Sequence, residues 1–205
     1  MKYQKELVRE ANERKIVAAA ELIFAQYGFK GATTERIAKQ AGLPKANVHY
    51  YFKTKFDLYR RVLALILEEW MSAATVFDEY DDPRTALETY VRSKMMFSRS
   101  RPLASKVWAN EILHGAQVLG GFLDTTLKTW LQDRVHVVEG WIAQKKIKAV
   151  DPHALFYMIW STTQHYADFE RQLVLLHGGQ PFSDREYEQK IEQVVELILG
   201  SVGLN

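Results

Sequence analysis

The chain has 205 residues, of which 47% are hydrophobic and 25% charged, so it can form a folded core and is not intrinsically disordered. It has no cysteine, which excludes disulfides, thiolate zinc sites, iron–sulfur clusters and a cysteine nucleophile. We expect a cytoplasmic protein without a membrane partner, because no apolar run approaches the roughly 20 residues of a membrane helix and the first residues do not resemble a signal peptide.

The formal net charge is only +2, but it is distributed unevenly along the chain. Residues 1–60 contain 12 lysines and arginines against 6 acidic residues, whereas residues 61–205 contain 15 against 19. A basic N-terminal segment followed by a mildly acidic remainder indicates a nucleic-acid-binding segment attached to a second module.

The hydrophobic periodicity predicts helices almost everywhere, beginning with three in the basic segment. The first spans Lys2–Tyr27, and Gly28 is a natural helix stop in a left-handed conformation. The second spans Thr33–Ala41, with its first residue as the N-cap and a glycine directly after it. The third spans Pro44–Tyr51, since proline is tolerated at a helix entry. Two short helices joined by a tight glycine-containing turn are typical of a helix-turn-helix.

Six longer helices follow, so the fold class is predicted to be all-α with about nine helices. We place the boundary between an N-terminal helix-turn-helix domain and a C-terminal helical domain between residues 54 and 55. The six helices are predicted at Lys55–Glu79, Arg84–Ser100, Pro102–His114, Phe122–Lys146, Pro152–His177 and Asp184–Leu199.

The third helix is the candidate DNA-reading element, because it presents several donor side chains while its apolar residues can pack on the second helix. An α-helix fits the major groove, and its N-terminal residues meet the base edges. Hydroxyls and amides before the second helix and lysines after the third suit phosphates. An ordinary helix pair with a solvated basic face is the alternative. The candidate DNA-binding residues are Thr33, Thr34, Lys45, Ala46, Asn47, His49, Tyr50, Tyr51 and Lys55.

This segment resembles the helix-turn-helix of the TetR family of bacterial repressors over roughly residues 14–60. The resemblance implies a dimeric all-helical regulator in which the first three helices bind operator DNA and the C-terminal domain binds a small ligand. Pro44 replaces a capping serine, and His49 replaces a tyrosine that commonly contacts DNA. The matching residues are Phe24, Tyr27-Gly28-Phe29, Gly31, Thr33-Thr34, Ile37-Ala38, Ala41-Gly42-Leu43, Val48, Tyr51-Phe52, Lys55 and Leu58.

Residues 151–169 are similar to the corresponding stretch of a pyrimidine-responsive repressor of the same family. This similarity implies a pyrimidine site at Trp70, Trp160 and Gln164. The residues agree with that interpretation, because Trp160 and Gln164 share a helix face, a glutamine amide offers both a donor and an acceptor, and an indole can stack on a base. The alternative is that the two tryptophans belong to the core. Further candidates for the lining are Ser98, Asn110, Glu111 and Tyr157.

We expect no catalytic residue, metal or cofactor, because the sequence lacks nucleotide-binding glycine loops, a nucleophile elbow and metal-ligand histidine spacings. Together with the TetR resemblance, this predicts a homodimeric regulator, not an enzyme, that is released from operator DNA by a small effector. The alternative is a helical ligand-binding or enzyme module without DNA binding. The last two predicted helices are the expected dimer face, burying Leu155, Ile159, Ile191, Val194, Val195 and Ile198 between subunits.

Overall fold

A computed structural model of the protein describes residues 2–73, 75, 77 and 80–204. Within these ranges the secondary structure is helical without any strand, which confirms the predicted all-α class. The described residues form two compact units. The N-terminal unit comprises the residues up to Glu69 and Lys106–Gly120, and the C-terminal unit comprises Trp70–Ser105 and the residues from Gly121 onward.

The first two helices of the N-terminal unit begin and end close to the predicted positions. Helix α1 spans Lys2–Gly31, but Gly28 interrupts it with φ 64° and ψ 177°. The predicted stop is therefore a bend, after which the chain makes one more turn. Helix α2 spans Thr34–Ala41, and the Thr33 side chain accepts a hydrogen bond from the Arg36 amide at 3.2 Å. Gly42 ends it with φ 66°, as predicted from the glycine signal.

Helix α3 spans Lys45–Tyr51, and helix α4 spans Lys55–Ala73. Thr54 and Asp57 cap α4 reciprocally, because each backbone N–H donates to the other residue's side chain, at 3.1 and 3.0 Å. The predicted end of this helix at Glu79 lies outside the described residues. The core of the N-terminal unit is apolar and includes Ile16, Phe24, Ile37, Val48, Leu58, Val62 and Ile66.

The C-terminal unit packs its longer helices around one aromatic-rich core. Asp82 caps the first of them, α5 (Pro83–Ser100), by accepting from the Thr85 amide at 2.9 Å. No helix in the described part of the chain is long and apolar enough to cross a membrane. The remaining elements are α5 (Pro83–Ser100), α6 (Pro102–Leu113), α7 (Gly120–Phe122), a π-helical segment (Leu123–Leu127), α8 (Lys128–Ala143), α9 (Pro152–Asp168), α10 (Glu170–Leu176) and α11 (Asp184–Ser201).

Two predicted helices are interrupted. The prediction of a single helix at Pro152–His177 is wrong, because the chain leaves the helical conformation at Phe169 and starts α10 afterwards. Asp168 at this break accepts a hydrogen bond from Ser105 Oγ at 2.6 Å. The helix expected at Phe122–Lys146 contains the π-helical segment, where the Thr125 hydroxyl donates to the Gly121 carbonyl at 2.6 Å.

The apolar stripe that we expected to be buried between subunits is buried within one chain. Leu155 and Ile159 of α9 and Ile191 and Ile198 of α11 are at most 2% exposed. Val194 and Val195 are also buried, and all six belong to the core of the C-terminal unit. That assignment is therefore wrong, because an apolar period shows that a helix face is covered but not which partner covers it.

Candidate functional site

Helix α3 has one buried face and one exposed face. Val48 is fully buried, whereas the four residues Lys45, Ala46, His49 and Tyr50 are exposed. Asn47 and Tyr51 are half-buried. The exposed face therefore carries an ammonium, an imidazole and a phenol on a single short helix. It is the arrangement that the sequence predicted for a helix that reads base edges.

The entry to α2 offers donors of the type that bind phosphates. Thr33 is exposed and Thr34 half-buried. The Thr33 oxygen accepts the capping hydrogen bond, so its hydroxyl proton can still donate to an outside oxygen. Arg36 lies over the Tyr27 ring at 4.5 Å and donates to the Gly31 carbonyl at 3.2 Å, which ties α2 to the end of α1.

Lys55 has a structural partner that the sequence analysis did not find. Its ammonium donates to the carbonyls of Phe29 and Ala32 at 2.7 and 2.9 Å, and lies 4.4 Å from the centre of the Phe29 ring. A cation at the carboxyl end of a helix stabilises that end. Two of its three N–H groups are thus used within the protein. A phosphate contact by Lys55 stays a prediction, with one N–H left to make it.

The second part of the N-terminal unit is attached to α4 by a buried polar cluster. Tyr59 donates to Glu111 Oε2 at 2.9 Å, and the other oxygen accepts from the amides of Val118 and Leu119 at 2.6 and 3.3 Å. Burial and the neighbouring carboxylate raise the pKa of Tyr59 far above its usual value. Glu111 and Asn110 line a cavity of about 260 Å³ within the N-terminal unit.

The three effector candidates all belong to the C-terminal unit, and two have partners on α5. Trp160 donates its indole N–H to the Tyr90 hydroxyl at 2.8 Å. The Trp70 ring lies 4.1 Å from the Lys94 ammonium. Gln164 is half-buried and directly follows Thr163, whose carbonyl accepts from a hydroxyl on α5. That donor is Ser98, which was a further candidate for the lining and bonds to the backbone of α9. Tyr157, another of these candidates, is largely exposed.

Tyr90, Lys94 and Ser98 are spaced four residues apart, so they share one face of α5. Burial lowers the pKa of Lys94 from 10.5 to about 8, and the negative charge of Asp168 partly opposes this shift. Lys94 was not among the residues predicted from the sequence. The available signal was a lysine on an otherwise buried stripe of α5 formed by Leu87, Tyr90, Val91, Met95 and Ser98.

Comparison with known proteins identifies the fold and the helix-turn-helix. Residues 16–62 match the family of bacterial regulatory proteins called tetR, and residues 63–205 match the C-terminal region of YcdC-like proteins. The chain belongs to the TetR family. The HTH-type transcriptional regulator RutR of Escherichia coli strain K12 is 36% identical over 192 residues, which cover 94% of this chain and 91% of RutR.

Solved structures of the TetR type share the fold at low sequence identity. The ketosteroid transcriptional regulator KstR2 of Mycobacterium tuberculosis aligns with a TM-score of 0.74 and 16% identity, covering 93% of this chain and 94% of KstR2. AibR in complex with isovaleryl coenzyme A and operator DNA aligns with a TM-score of 0.70 and 17% identity, covering 91% of this chain and 97% of AibR. Family membership confirms a DNA-binding transcriptional regulator rather than an enzyme.

No group of three or more histidine, aspartate or glutamate side chains lies in a metal-binding arrangement among the residues that the structure describes. Most of the polar residues that are candidates for DNA binding lie on α3. Of the candidates for effector binding, Trp70 and Trp160 contact the face of α5 that carries Lys94.

Proposed function

We propose that the protein is a homodimeric, cytoplasmic repressor that leaves its operator when a pyrimidine such as uracil or thymine binds. The observation that supports it most is the exposed, donor-rich face of α3 in the helix-turn-helix of a TetR family chain. Each recognition helix would enter a major groove, and the dimer would require two grooves at a fixed spacing.

The proposed contacts divide into phosphate binding and base reading. Lys45 and the hydroxyls of Thr33 and Thr34 would bind phosphates and fix the register, together with one N–H of Lys55. Asn47 and His49 would read base edges, because an amide and an imidazole both donate and accept. The phenols of Tyr50 and Tyr51 and the methyl group of Ala46 complete this face. They would contact sugars and thymine methyl groups.

The proposed effector site comprises Trp70, Trp160 and Gln164. The similarity of residues 151–169 to a pyrimidine-responsive repressor supports it, as does the 36% identity to RutR over most of the chain. The amide of Gln164 would pair with the alternating C=O and N–H edge of a pyrimidine, and the Trp70 ring would stack on its face. Bound effector would favour a conformation in which the two α3 helices no longer match the operator spacing.

The dimer face is proposed on the outer surfaces of α9 and α11. Tyr157 and Met158 on α9 are 54% and 38% exposed, and Leu197 on α11 is 72% exposed. These large apolar side chains are separate from the buried stripe of the same helices. Covering exposed apolar side chains of this kind is a normal role of a homodimer interface.

DNA binding is tested with fluorescently labelled fragments of the DNA upstream of the gene, at several salt concentrations. Lys45→Ala should weaken binding on all sequences and lower the slope of log affinity against log salt by about one unit. Lys190→Ala removes a half-buried lysine of α11 whose hydrogen bond to Gln193 is exposed, and it serves as the matched control. If the wild type binds no upstream fragment more tightly than random DNA, the repressor proposal is wrong and a helical ligand-binding module is favoured.

The effector is tested by calorimetric titration of uracil and thymine into the wild type, Gln164→Ala and Gln193→Ala. Gln193 is exposed on α11 and is the control. Removing the Gln164 amide leaves the polar edge of the base without its partner, which costs about 1–3 kcal/mol, while operator binding should be retained. Absence of heat with both bases would rule out the pyrimidine, and equal binding by all three proteins would remove Gln164 from the site.

A further inference from the structure

Lys94 is a buried lysine for which the described residues supply no hydrogen-bond acceptor. The residue is 9% exposed and lies on the buried face of α5. Its contact with the Trp70 ring, at 4.1 Å, is made to a π-face. Among the described residues no side-chain or backbone oxygen accepts a hydrogen bond from Lys94, whereas the neighbouring polar residues Tyr90 and Ser98 both have partners.

A buried ammonium without a hydrogen-bond acceptor destabilises the folded protein. Removing an ammonium from water is costly, and the contact with a π-face offsets only part of that cost. The carboxylate of Asp168 acts on Lys94 electrostatically but already accepts from Ser105. A ligand oxygen that accepts from Lys94 would offset this cost only in the bound state.

We propose that Lys94 is the donor that recognises the effector, and that the effector presents a carbonyl or carboxylate oxygen on a flat ring lying against Trp70. This inference rests on the proposed effector site, because Lys94 joins two parts of it. It contacts Trp70 directly, and its helix neighbours at one turn on either side bond to Trp160 and to the residue before Gln164.

The Lys94 ammonium also determines which rings can bind against Trp70. A fixed ammonium next to an indole favours an acceptor in the plane of the ring and disfavours a ligand that offers only donors or a positive charge at that position. Lys94 requires an oxygen that accepts its hydrogen bond, and both a ring carbonyl and a ring carboxylate provide one. The neutral probe is uracil and the anionic probe is benzoate, which distinguishes these two sources of the acceptor.

The test is a calorimetric titration of uracil and of benzoate into the wild type, Lys94→Met and Lys190→Met. Methionine keeps the length of the apolar stem and removes the donor. The control Lys190 is a half-buried lysine of α11 whose hydrogen bond to Gln193 is exposed. We expect Lys94→Met to lower the affinity for the probe that binds by about tenfold or more, since a hydrogen bond to a charged group is lost. Lys190→Met should bind like the wild type.

The outcomes separate this inference from the proposed function. Uracil binding that Lys94→Met leaves unchanged overturns the role of Lys94 but keeps the pyrimidine. Benzoate binding that depends on Lys94, without uracil binding, overturns the pyrimidine and supports Lys94. Binding of neither probe overturns both.

A comparison of ligands in the wild type needs no substitution, so it also covers a Lys94→Met protein that does not fold. Benzene is a flat six-membered ring without the oxygens of uracil or benzoate, and it has no acceptor lone pair in its plane. If it binds as tightly as uracil, the inference is wrong, and if it binds at least about tenfold more weakly, the acceptor requirement is supported.

Discussion

Replacing Lys94 by methionine should make the folded protein more stable at pH 7. Burial lowers the pKa of Lys94 from 10.5 to about 8. At about 1.4 kcal/mol for each pKa unit, this shift corresponds to about 3 kcal/mol of unfavourable free energy in the folded state. The contact with Trp70 returns about 0.5–2 kcal/mol of it. We therefore expect the free energy of unfolding of Lys94→Met to exceed that of the wild type by about 1–3 kcal/mol.

The pH dependence has a definite sign. Below about pH 8 Lys94 is protonated in both states, so the wild type bears the full cost of the buried charge. Between about pH 8 and 10.5 the folded state loses the proton while the unfolded state keeps it. Because the unfolded state then binds more protons, the stability of the wild type rises with pH in this window. The advantage of Lys94→Met should shrink accordingly.

Urea unfolding followed by circular dichroism at pH 7 and at about pH 10 measures both effects, with the protomer concentration held constant. Lys190→Met is the control and should show neither effect, because Lys190 is only half-buried and its hydrogen bond to Gln193 is exposed. If Lys94→Met is less stable than the wild type at pH 7, or if its advantage does not change with pH, the ammonium is not a destabilising buried charge.

Four further substitutions test other parts of the molecule. Asn47→Ala should lose about 1–3 kcal/mol of discrimination at one base pair, measured with base-substituted operators, and an equal loss on random DNA would contradict base reading. Lys55→Met should lower the free energy of unfolding by about 1–3 kcal/mol, because two carbonyls at the end of α1 lose their donor; unchanged urea unfolding would refute this. Tyr59→Phe should cost about 1–3 kcal/mol in the same assay by leaving buried Glu111 short of one donor, and no loss would mean that water replaces the phenol. Leu197→Glu should give monomers in sedimentation with unchanged helicity, whereas an intact dimer would place the interface elsewhere.

The parts of the fold that depend on local signals could be predicted from the sequence. The Thr33 cap, the left-handed Gly42 and the bend at Gly28 each follow from one residue and its neighbours along the chain. The break at Phe169 could not be predicted in this way, because neither proline nor glycine marks it. Asp168 at that break is bonded to Ser105, 63 residues away along the chain, and sequence periodicity does not report such contacts.

In the candidate sites, too, the features that depend on contacts between distant segments of the chain could not be predicted. The exposed face of α3 was predictable, since a short helix with one buried valine must expose the opposite side. The partners of Lys55 and Glu111 were not, because their hydrogen bonds join segments that lie 23 or more residues apart for Lys55 and 52 apart for Tyr59 and Glu111. The pattern also showed correctly that α9 and α11 each bury one face, but it assigned that face to a second subunit.

The position of Trp70 gives the protein an intrinsic optical reporter. Its indole lies 4.1 Å from an ammonium and packs edge-on against Phe97 at 5.6 Å. Indole emission responds to a nearby positive charge and to the polarity around the ring, so a molecule that lies against Trp70 and accepts from Lys94 would change both at once. The chain has five tryptophans, and a Trp70→Phe protein supplies the background from the other four. Ligand discovery for this regulator can therefore begin with unlabelled protein in a fluorimeter, before any operator is known.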